Sequence, residues 1–509
     1  MLAWQDFIVL AGYAAVIISI GIITGRKEKN ITDYFLGGRS MPWWSVMISI
    51  YATALSALTF IGVPGVAFKG DFHYLQLGFG DLVGRILISF ILLKPYYKHQ
   101  VTTVYELLDK RFGKFSRGSG TLFFLVTRLL ASGVRLAGCA IALSVIFSIP
   151  MNLAIVIIGL VALAYTSMGG IKAVIWTDTL QFLLFIAAAT VVIWLSVNSL
   201  PGGFSEFIQV GQQFSKFKIF HISFNPASQD FWLNLSNPQS FIAGFLFGAF
   251  TTFAALGTDQ DLVQRMLTCK KVTQSQIALI FSGLLNFPVT LLFLSVGAGL
   301  FVFFKINPDP VVTDFVTQGK TDYIFPYFIK TFLSPGIKGL LIAGLLAAAM
   351  SSLDSAINAL ASTAYVDIYT AFMNKKADPA KAVRVSRILV AGFSVILIGI
   401  AVMFSNTESV LWLGFKIVGY TYGAMLGIFL LAVLTRTRGN DWVNAAIMVS
   451  SVLVVLFFTS ESAGILTGVR RVMLTPLGID KIAWPWAIIM GTGWTFGWGL
   501  LFKTGKKFS

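Results

Sequence analysis

The sequence predicts an all-α integral membrane protein with about 13 transmembrane helices. The 509 residues are 56% hydrophobic and only 12% charged, whereas a soluble domain has about 25% charged residues. Apolar stretches near the length of a membrane-spanning helix recur along the whole chain. Basic residues concentrate in alternate connections between these stretches, as cytoplasmic loops require. Lipid is therefore expected to be the main solvent of this chain.

The apolar spans are expected at 7–24, 43–66, 73–93, 120–149, 152–168, 175–198, 240–258, 276–304, 339–371, 388–404, 410–434, 442–459 and 483–502. With the N-terminus outside, 24 of the 38 Lys and Arg residues fall in cytosolic segments, 10 in outer segments and 4 inside spans. This asymmetry predicts a multi-pass protein of the cell membrane with a cytoplasmic C-terminus. The first span is a retained helix, because its basic residues follow it instead of preceding it as in a cleaved signal.

Several other classes of protein are not expected. The net charge of +16 is spread over short loops with no basic stripe, which argues against nucleic-acid binding. Cys139 and Cys269 lie in different segments, so no disulfide is predicted, and the three histidines are scattered and predict no ligand cluster. A phosphate-binding G-x-x-x-x-G-K-[ST] motif is absent from the sequence, so ATP-driven pumping by this chain is not expected.

Two long outer loops are expected at 199–239 and 305–338. Within the cytosolic segment 94–119, Thr103 and Glu106 have the spacing of a capping box just before two leucines. This spacing predicts a short amphipathic helix on the inner surface of the membrane.

The first intramembrane polar cluster lies in span 339–371. Ala348, Ser351, Ser352 and Ser355 share one helical face, and Asp354 lies beside them. Small residues and serines are common where membrane helices pack closely, which is the simpler interpretation. A carboxylate at mid-span, however, costs about 2.5–3.5 kcal/mol without a partner. Its oxygen together with the serine hydroxyls suits a sodium ion.

The second cluster runs from Tyr51 to Thr59 and is followed by Gly62, Pro64 and Gly65. This pattern predicts either a helix broken in mid-membrane, which frees backbone carbonyls for a cation, or an ordinary proline kink.

The third feature is a set of charged residues inside the spans. Asp178 opens one span, while Arg128 and Arg135 lie seven residues apart on one face of another. Asp81 and Arg85 have i, i+4 spacing, so this pair is predicted to be structural.

The sequence resembles the solute:sodium symporter family along nearly its whole length. The resemblance is carried by Asp33-Tyr-Phe-Leu-Gly-Gly-Arg39, Tyr105-Glu-Leu-Leu-Asp-Lys-Arg-Phe112, Gly169-Gly-Ile-Lys-Ala-Val-Ile-Trp-Thr-Asp178, Thr258-Asp-Gln-Asp-Leu-Val-Gln-Arg265 and Ala347-Ala-Ala-Met-Ser-Ser352. It implies the leucine-transporter fold, a 5+5 inverted repeat in one membrane transport domain over residues 1–509. The implied parts are a leading helix 7–24, a first repeat 43–198, a second repeat 240–434 and two trailing helices within 442–502.

The resemblance also implies sodium sites. The first would use carbonyls of Ala52, Leu55 and Ala348 and hydroxyls of Ser351 and Ser352. A possible second site would use Asp178, Ser351, Asp354 and Ser355. Asp354 stands where the sialic-acid branch has serine, so this carboxylate would bind sodium, carry a proton or form a salt bridge.

For the substrate, the resemblance to the sialic-acid branch implies Ser56, Thr59 and Arg135. Ala54 and Gly78 replace a polar pair that contacts substrate in that branch. The alternative for Arg135 is a structural pair with Asp178 or Asp354. The sugar-transporting branch fits less well, because Ala54, Leu58 and Thr59 stand where it has Asn, Glu and Gln.

The expected function is sodium-coupled secondary active symport of a small organic solute by alternating access, the solute being an acidic sugar such as sialic acid or another carboxylate. The alternatives are symport of a neutral sugar or vitamin and, from a different class, channel-like permeation of sodium or anions. No nucleophile or metal set converges in the sequence, so the chain is not predicted to be an enzyme. Sodium is the expected coupling ion, with no organic cofactor, and a monomer in the lipid bilayer is the expected functional unit.

Overall fold

The protein is nearly all helical. A computed structural model describes residues 3–25, 37–55, 57–101, 103–165, 171–221, 237–373, 379–407, 409–459, 465–474, 476 and 479–504. The α-helices are α1 Trp4–Gly25, α2 Trp43–Ala54, α3 Ala57–Lys69, α4 Gln76–Ile91, α5 Leu93–Lys98, α6 Tyr105–Arg111, α7 Lys114–Phe147, α8 Met151–Tyr165, α9 Ile171–Asn198, α10 Gly203–Gln213, α11 Phe241–Thr258, α12 Gln260–Met266, α13 Val272–Ile306, α14 Pro310–Thr317, α15 Ile324–Phe332, α16 Ile337–Thr363, α17 Pro379–Met403, α18 Val410–Leu434, α19 Asp441–Thr459, α20 Ile465–Leu474 and α21 Ala487–Leu501. Short 3₁₀ turns at Gly37–Arg39, Phe72–Leu75, Thr321–Tyr323 and Trp484–Trp486, and a π-helix at Ala364–Met373, complete the described helical elements.

Each of the thirteen predicted spans contains a helix. Within the described ranges, seven helical segments are long and apolar enough to cross a bilayer, or eight if α2 and α3 count as one broken span. The apolar parts of α1, α8, α16 and α17 are shorter. The multi-pass character of the chain is therefore clear, whereas the number of thirteen crossings stays a prediction.

The second span is a broken helix. Helices α2 and α3 are bent by 59° relative to each other, and the chain leaves the helical conformation at Leu55, with φ −73° and ψ 80°. The break therefore precedes Pro64, which lies inside α3. The nearby glycines instead permit close packing, because a Cβ on Gly65 would lie 2.9 Å from Asp322 Oδ1.

Helices α4 and α11 cross almost in backbone contact. A Cβ on Gly80 would lie 1.8 Å from the carbonyl oxygen of Phe245, and one on Gly248 would lie 2.3 Å from that of Leu77. Small residues at a crossing let membrane helices approach closely and gain dispersion energy, since lipid supplies no hydrophobic drive for their association. This crossing fixes one side of the central cavity described below.

The short helix predicted within 94–119 is present as α6, but the predicted capping box is wrong. Val104 is its N-cap and provides no side-chain hydrogen bond, while the Thr103 hydroxyl donates to Asp367 Oδ1 at 3.4 Å. Leu107 and Leu108 are fully buried, and Lys110 is exposed, so α6 packs one face into the protein; its position at the inner membrane surface stays a prediction.

The described parts of the long connections 199–240 and 307–336 both contact the last turns of α3, and we call this end of α3 the long-loop end. Lys216 Nζ from the first donates to the carbonyl oxygens of Phe68 at 2.7 Å and Gly70 at 2.8 Å, near the end of α3. Asp322 from the second packs against Gly65 of the same helix. Both connections therefore contact the second half of the broken helix.

Candidate functional site

A central cavity of about 210 Å³ lies beside the break between α2 and α3. Helices α4, α7, α11, α12, α13 and α18 and the 3₁₀ turn Phe72–Leu75 form the rest of its wall. It is lined by Tyr51, Ala54, Leu55, Thr59, Tyr74, Leu77, Gly78, Asp81, Arg85, Ala131, Arg135, Phe247, Gly248, Thr251, Thr252, Ala255, Leu256, Leu262, Asn286, Thr290, Leu411, Gly414, Phe415, Val418 and Tyr422. A mostly apolar cavity with a few polar groups is typical of a site for a small molecule.

An ion pair within α4 forms part of the polar wall. Arg85 Nε lies 2.9 Å from Asp81 Oδ2, which confirms the predicted pairing of these two residues. Thr252 donates to Asp81 Oδ1 at 2.6 Å, and Arg85 Nη1 donates to Ser282 Oγ at 2.6 Å. Each charge in this pair is therefore balanced, and the pair adds no net charge to the cavity.

Neutral hydrogen-bonding groups from α2 and α13 extend this polar wall. The Tyr51 hydroxyl donates to Asn286 Oδ1 at 3.2 Å, and Thr290 donates to the same oxygen at 2.9 Å. Asn286 Nδ2 donates to Asp81 Oδ2 at 3.4 Å. These side chains supply hydroxyl and amide groups of the kind that recognise the hydroxyls of a polar solute.

Arg135 brings a positive charge to the cavity from α7. The side chain is partly buried, and its Nη1 atom is buried without a hydrogen-bond partner. Among the described residues Arg135 forms neither a salt bridge nor a hydrogen bond, so the predicted alternative of a pair with Asp178 or Asp354 finds no contact there. Asp259 and Asp261 attract this guanidinium without contacting it, and an anionic ligand in the cavity would supply a counter-charge in direct contact.

Arg128, seven residues earlier on α7, is paired with carboxylates by contrast. Its guanidinium contacts Asp261 and lies 3.4 Å from Asp259 Oδ2. The Tyr422 hydroxyl donates to Asp259 Oδ2 at 2.8 Å, and Arg265 Nη1 lies 2.8 Å from Asp261 Oδ1. This charge network connects α7, α12 and α18.

The charge network continues to Asp178. Arg265 Nε lies 3.5 Å from Asp178 Oδ2, and Arg265 Nη2 donates to Ser355 Oγ at 2.9 Å. Ser49 donates to Asp178 Oδ2 at 2.6 Å. A guanidinium therefore contacts two members of the predicted second sodium site, Asp178 and Ser355, and supplies positive charge there. The third described member, Asp354, is buried on the same helix as Ser355.

Helix α16, which carries Ala348, Ser351 and Ser352 of the first predicted sodium site, contacts both halves of the broken helix. Ala52 is in the last turn of α2, and Leu55 is at the break itself. Ser352 is buried, and its hydroxyl has no hydrogen-bond partner within the described part of the chain. The side chains of Ala348 and Ser351 are outside the described set. A buried, unpartnered hydroxyl beside a broken helix is an arrangement that accepts a small cation.

The predicted substrate residues are only partly described. Thr59 and Arg135 both line the cavity, while Ser56 lies outside the described residues, as do residues 33–36 and 169–170 of the motif segments. Ala54 and Gly78, which replace a polar pair of the sialic-acid branch, line the cavity as well.

The sequence analysis did not identify the neutral polar wall of Tyr51, Asn286 and Thr290 or the network around Asp259 and Asp261. Asn286 and Thr290 are polar side chains within span 276–304, so the rule that flags intramembrane polar residues could have found them. The two aspartates stood in a quoted motif, but no sequence signal paired them with Arg128.

The fold and this site define a class: a polytopic helical membrane protein with a polar central cavity beside a broken helix, which is the architecture of secondary transporters. The sodium:solute symporter family model matches residues 34–442, and the chain belongs to this family. It is a sodium-coupled symporter of a small solute, and its coupling ion is Na⁺.

Two curated relatives are sodium/sialic acid symporters. SiaT of Proteus mirabilis is 31% identical over 453 residues, 88% of each chain. NanT of Aliivibrio fischeri is 30% identical over 464 residues, 90% of this chain and 88% of the relative. The human sodium-coupled monocarboxylate transporter 1 is 28% identical over 438 residues, 84% of this chain and 69% of the relative.

Solved structures agree with the family. A substrate-bound, outward-open Na⁺-coupled sialic acid symporter superposes with a TM-score of 0.83 at 25% identity, covering 99% of this chain and 100% of that chain. Mhp1, a nucleobase-cation-symport-1 family transporter, shares the fold with a TM-score of 0.55 at 14% identity, covering 93% and 94% of the two chains.

Proposed function

We propose that the transported solute is a small organic acid whose carboxylate binds Arg135. The observation that carries this proposal is the guanidinium in the cavity wall that has no hydrogen-bond or salt-bridge partner among the described residues, while Arg128 on the same helix contacts two aspartates. A guanidinium binds a carboxylate through two parallel hydrogen bonds, and such a pair is strong where water is excluded. Relatives are named for the transport of sialic acid and of monocarboxylates, and both kinds of solute carry a carboxylate.

An acidic sugar fits the cavity better than a simple monocarboxylate. The wall formed by Tyr51, Thr252, Asn286 and Thr290 offers hydroxyl and amide groups. These groups already bond to one another and to Asp81, and their oxygen atoms keep further capacity to accept hydrogen bonds from the hydroxyls of a solute. A hydroxylated acid satisfies both the polar wall and Arg135.

Sodium at the first site couples to this solute through charge. We propose Ala52, Leu55, Ala348, Ser351 and Ser352 as its ligands, supported by the broken helix and the unpartnered hydroxyl of Ser352. The guanidinium of Arg135 disfavours a further positive charge in the protein interior, and a carboxylate bound to it removes this penalty for sodium. Loaded together, they leave the charge of the interior unchanged, so each favours binding of the other.

For the second predicted set we propose that Arg265, and not a second sodium, balances Asp178. The support is the guanidinium in contact with both Asp178 and Ser355. Together with the first site, this proposal gives a coupling ratio of one sodium per solute.

The proposed architecture is thirteen transmembrane helices in the leucine-transporter arrangement, functional as a monomer in the cell membrane. A leading helix (7–24) precedes two inverted repeats, 43–198 and 240–434, and two helices within 442–502 follow them. The N-terminus lies outside and the C-terminus in the cytoplasm. The charge asymmetry of the loops supports this orientation.

The test compares uptake of an acidic sugar and its carboxamide into proteoliposomes over a range of sodium concentrations. Wild type should prefer the acid by about 10- to 100-fold, which corresponds to one charge-assisted contact. Arg135→Lys should lose most of this preference, because lysine cannot bind a carboxylate bidentately. Its half-saturating sodium concentration should not change.

Ser352→Ala is the matched control, because it changes the proposed sodium site and leaves the proposed solute site at Arg135 intact. It should raise the half-saturating sodium concentration and leave the preference for the acid intact. If Arg135→Lys keeps the preference for the acid, Arg135 belongs to the scaffold. If wild type takes up the acid and the carboxamide equally, the neutral-solute alternative holds.

A further inference from the structure

Two of the three histidines lie together at the long-loop end, so the prediction that they are scattered is wrong for this pair. Asp71 lies between them: its Oδ1 is 2.7 Å from His73 Nδ1, and its Oδ2 is 2.6 Å from His221 Nε2. One ligand atom from each of the three side chains lies within 4.8 Å of those of the other two. The sequence separation of His221 from the other two hid this cluster.

The backbone around the cluster is firmly held. Asp71 is the N-cap of the 3₁₀ turn Phe72–Leu75, with its Oδ1 accepting from the His73 amide at 2.9 Å. The connection that carries His221 is joined to this turn, because the Phe72 amide donates to the Lys218 carbonyl at 3.0 Å. The Phe241 amide in turn donates to the His221 carbonyl at 3.0 Å. The three side chains therefore converge on a fixed frame.

The imidazole rings are also held, and the cluster remains accessible. The His73 ring stacks on Trp412 at an interplanar angle of 10°, and it meets the His221 ring edge to face at 5.8 Å. The His73 side chain is 8% exposed, Asp71 15% and His221 27%. An ion can therefore reach the cluster from the side of His221.

We propose that Asp71, His73 and His221 form a binding site for a divalent transition-metal ion of the zinc class. Two imidazoles and one carboxylate are a ligand set of zinc sites that keep a fourth position open for water. Bonds of about 2.0–2.2 Å place tetrahedral ligand atoms about 3.4 Å apart. The ligand atoms of the cluster lie within 4.8 Å of one another, so small side-chain adjustments bring them to this separation, with the ion replacing the hydrogens that now bridge Asp71 to the histidines.

The alternative is that Asp71 only joins two histidines by hydrogen bonds. The cluster has no role in the proposed solute or sodium sites, because none of its members lines the central cavity. Metal binding can therefore be measured without solute and without a sodium gradient, and its outcome is independent of the proposed function.

The test is calorimetric titration of Zn²⁺ into the purified full chain, without a polyhistidine tag and after treatment with a chelator. The proposal expects one ion per chain and a rise of melting temperature on binding. Changing a residue that only hydrogen-bonds to a metal ligand lowers metal affinity by about 10- to 100-fold. His221→Ala and Asp71→Asn each remove a ligand itself, so each should lower the affinity for Zn²⁺ by at least this much. Co²⁺ should give the visible absorption of a four-coordinate site in wild type and not in these variants.

The matched control is His99→Ala, since His99 is the third histidine of the chain and lies just after α5, away from the cluster. It should bind Zn²⁺ as wild type does. His221 and Asp71 are chosen over the more buried His73 because their replacement is less disruptive, and metal-free melting curves check the fold of each variant. No binding by wild type at millimolar Zn²⁺ overturns the proposal, as does equal binding by wild type and both variants.

Discussion

Arg128 and Arg135 are the same residue type on the same face of one helix, yet their surroundings differ completely. Arg128 contacts two aspartates, and a second arginine and a tyrosine hydroxyl complete their coordination. Arg135 lines the cavity and has no partner in the described chain. The comparison separates two uses of a buried charge, one that joins helices and one that is available to a ligand.

Asp322 at the long-loop end is a third case, a buried carboxylate without a cationic partner in the described residues. It is 2% exposed, and its hydrogen bond comes from the Val410 amide at 3.2 Å. Val410 begins α18, so the carboxylate sits at the N-terminus of that helix. A network of paired charges loses stability when one member is removed, because its partner is left buried and unpaired. A buried charge without a contacting partner instead changes its energy mainly when a ligand or a proton binds to it.

Removal of Arg128 should have the largest effect on stability. Arg128→Met leaves the buried Asp259 without its guanidinium contact and leaves Asp261 paired with Arg265, which also contacts Asp178, so the free energy of unfolding should fall by about 3–5 kcal/mol. Denaturation of the purified protein in detergent measures this loss. Arg135→Met is the matched variant and should leave stability unchanged or raise it, because it removes an unpaired charge. Equal losses in the two variants would remove the distinction between the two arginines.

Much of the fold could be predicted because lipid imposes local rules. Hydropathy and span length depend on neighbours in sequence, so a helix occupies each predicted span. The break in the second span was less predictable. The sequence pattern points to Gly62 and Pro64, but α3 includes both residues, and the chain departs from the helix at Leu55. Proline is tolerated inside a membrane helix where packing compensates the lost hydrogen bond.

Charge pairing depends on tertiary contacts, so the sequence predicts only pairs between residues that are close along the chain. The pair of Asp81 with Arg85 was predictable from i, i+4 spacing. The partner of Asp178 is Arg265, 87 positions later in the chain, and no periodicity indicates it. The same limit hid the approach of His221 to Asp71.

Ionisation of Asp322, which lies outside the membrane-spanning segments, should make the stability of the protein depend on pH. Burial raises its pKa from 3.8 to about 6, although the Val410 amide lowers it in part. Because the folded-state pKa is the higher one, the stability contributed by this group is full below pH 4 and is lost as the pH rises to about 6. The loss is about 3 kcal/mol.

Asp322→Asn keeps an acceptor for the Val410 amide and removes the titration. It should melt like wild type near pH 4 and be more stable than wild type above pH 6. Asp314→Asn, which replaces an exposed aspartate of the same connection, should follow the wild-type curve throughout. Parallel curves for wild type and Asp322→Asn would show that this carboxylate does not titrate with folding.

The smallest effect on stability is expected at Tyr422, which belongs both to the cavity wall and to the charge network of Arg128. It lines the cavity with Arg135, and its hydroxyl donates to Asp259 Oδ2 at 2.8 Å in the network of Arg128. Tyr422→Phe removes one hydrogen bond to a buried carboxylate, so the free energy of unfolding should fall by about 1.5–3 kcal/mol. The ring still fills its place, and the preference for acid over carboxamide should stay at the wild-type value because Arg135 is untouched. Unfolding curves and acid-to-carboxamide uptake ratios of this variant show whether the Tyr422 hydroxyl serves the charge network or the solute. Unchanged stability with a weakened preference would assign the Tyr422 hydroxyl to the solute, and the charge network would then extend into the binding site.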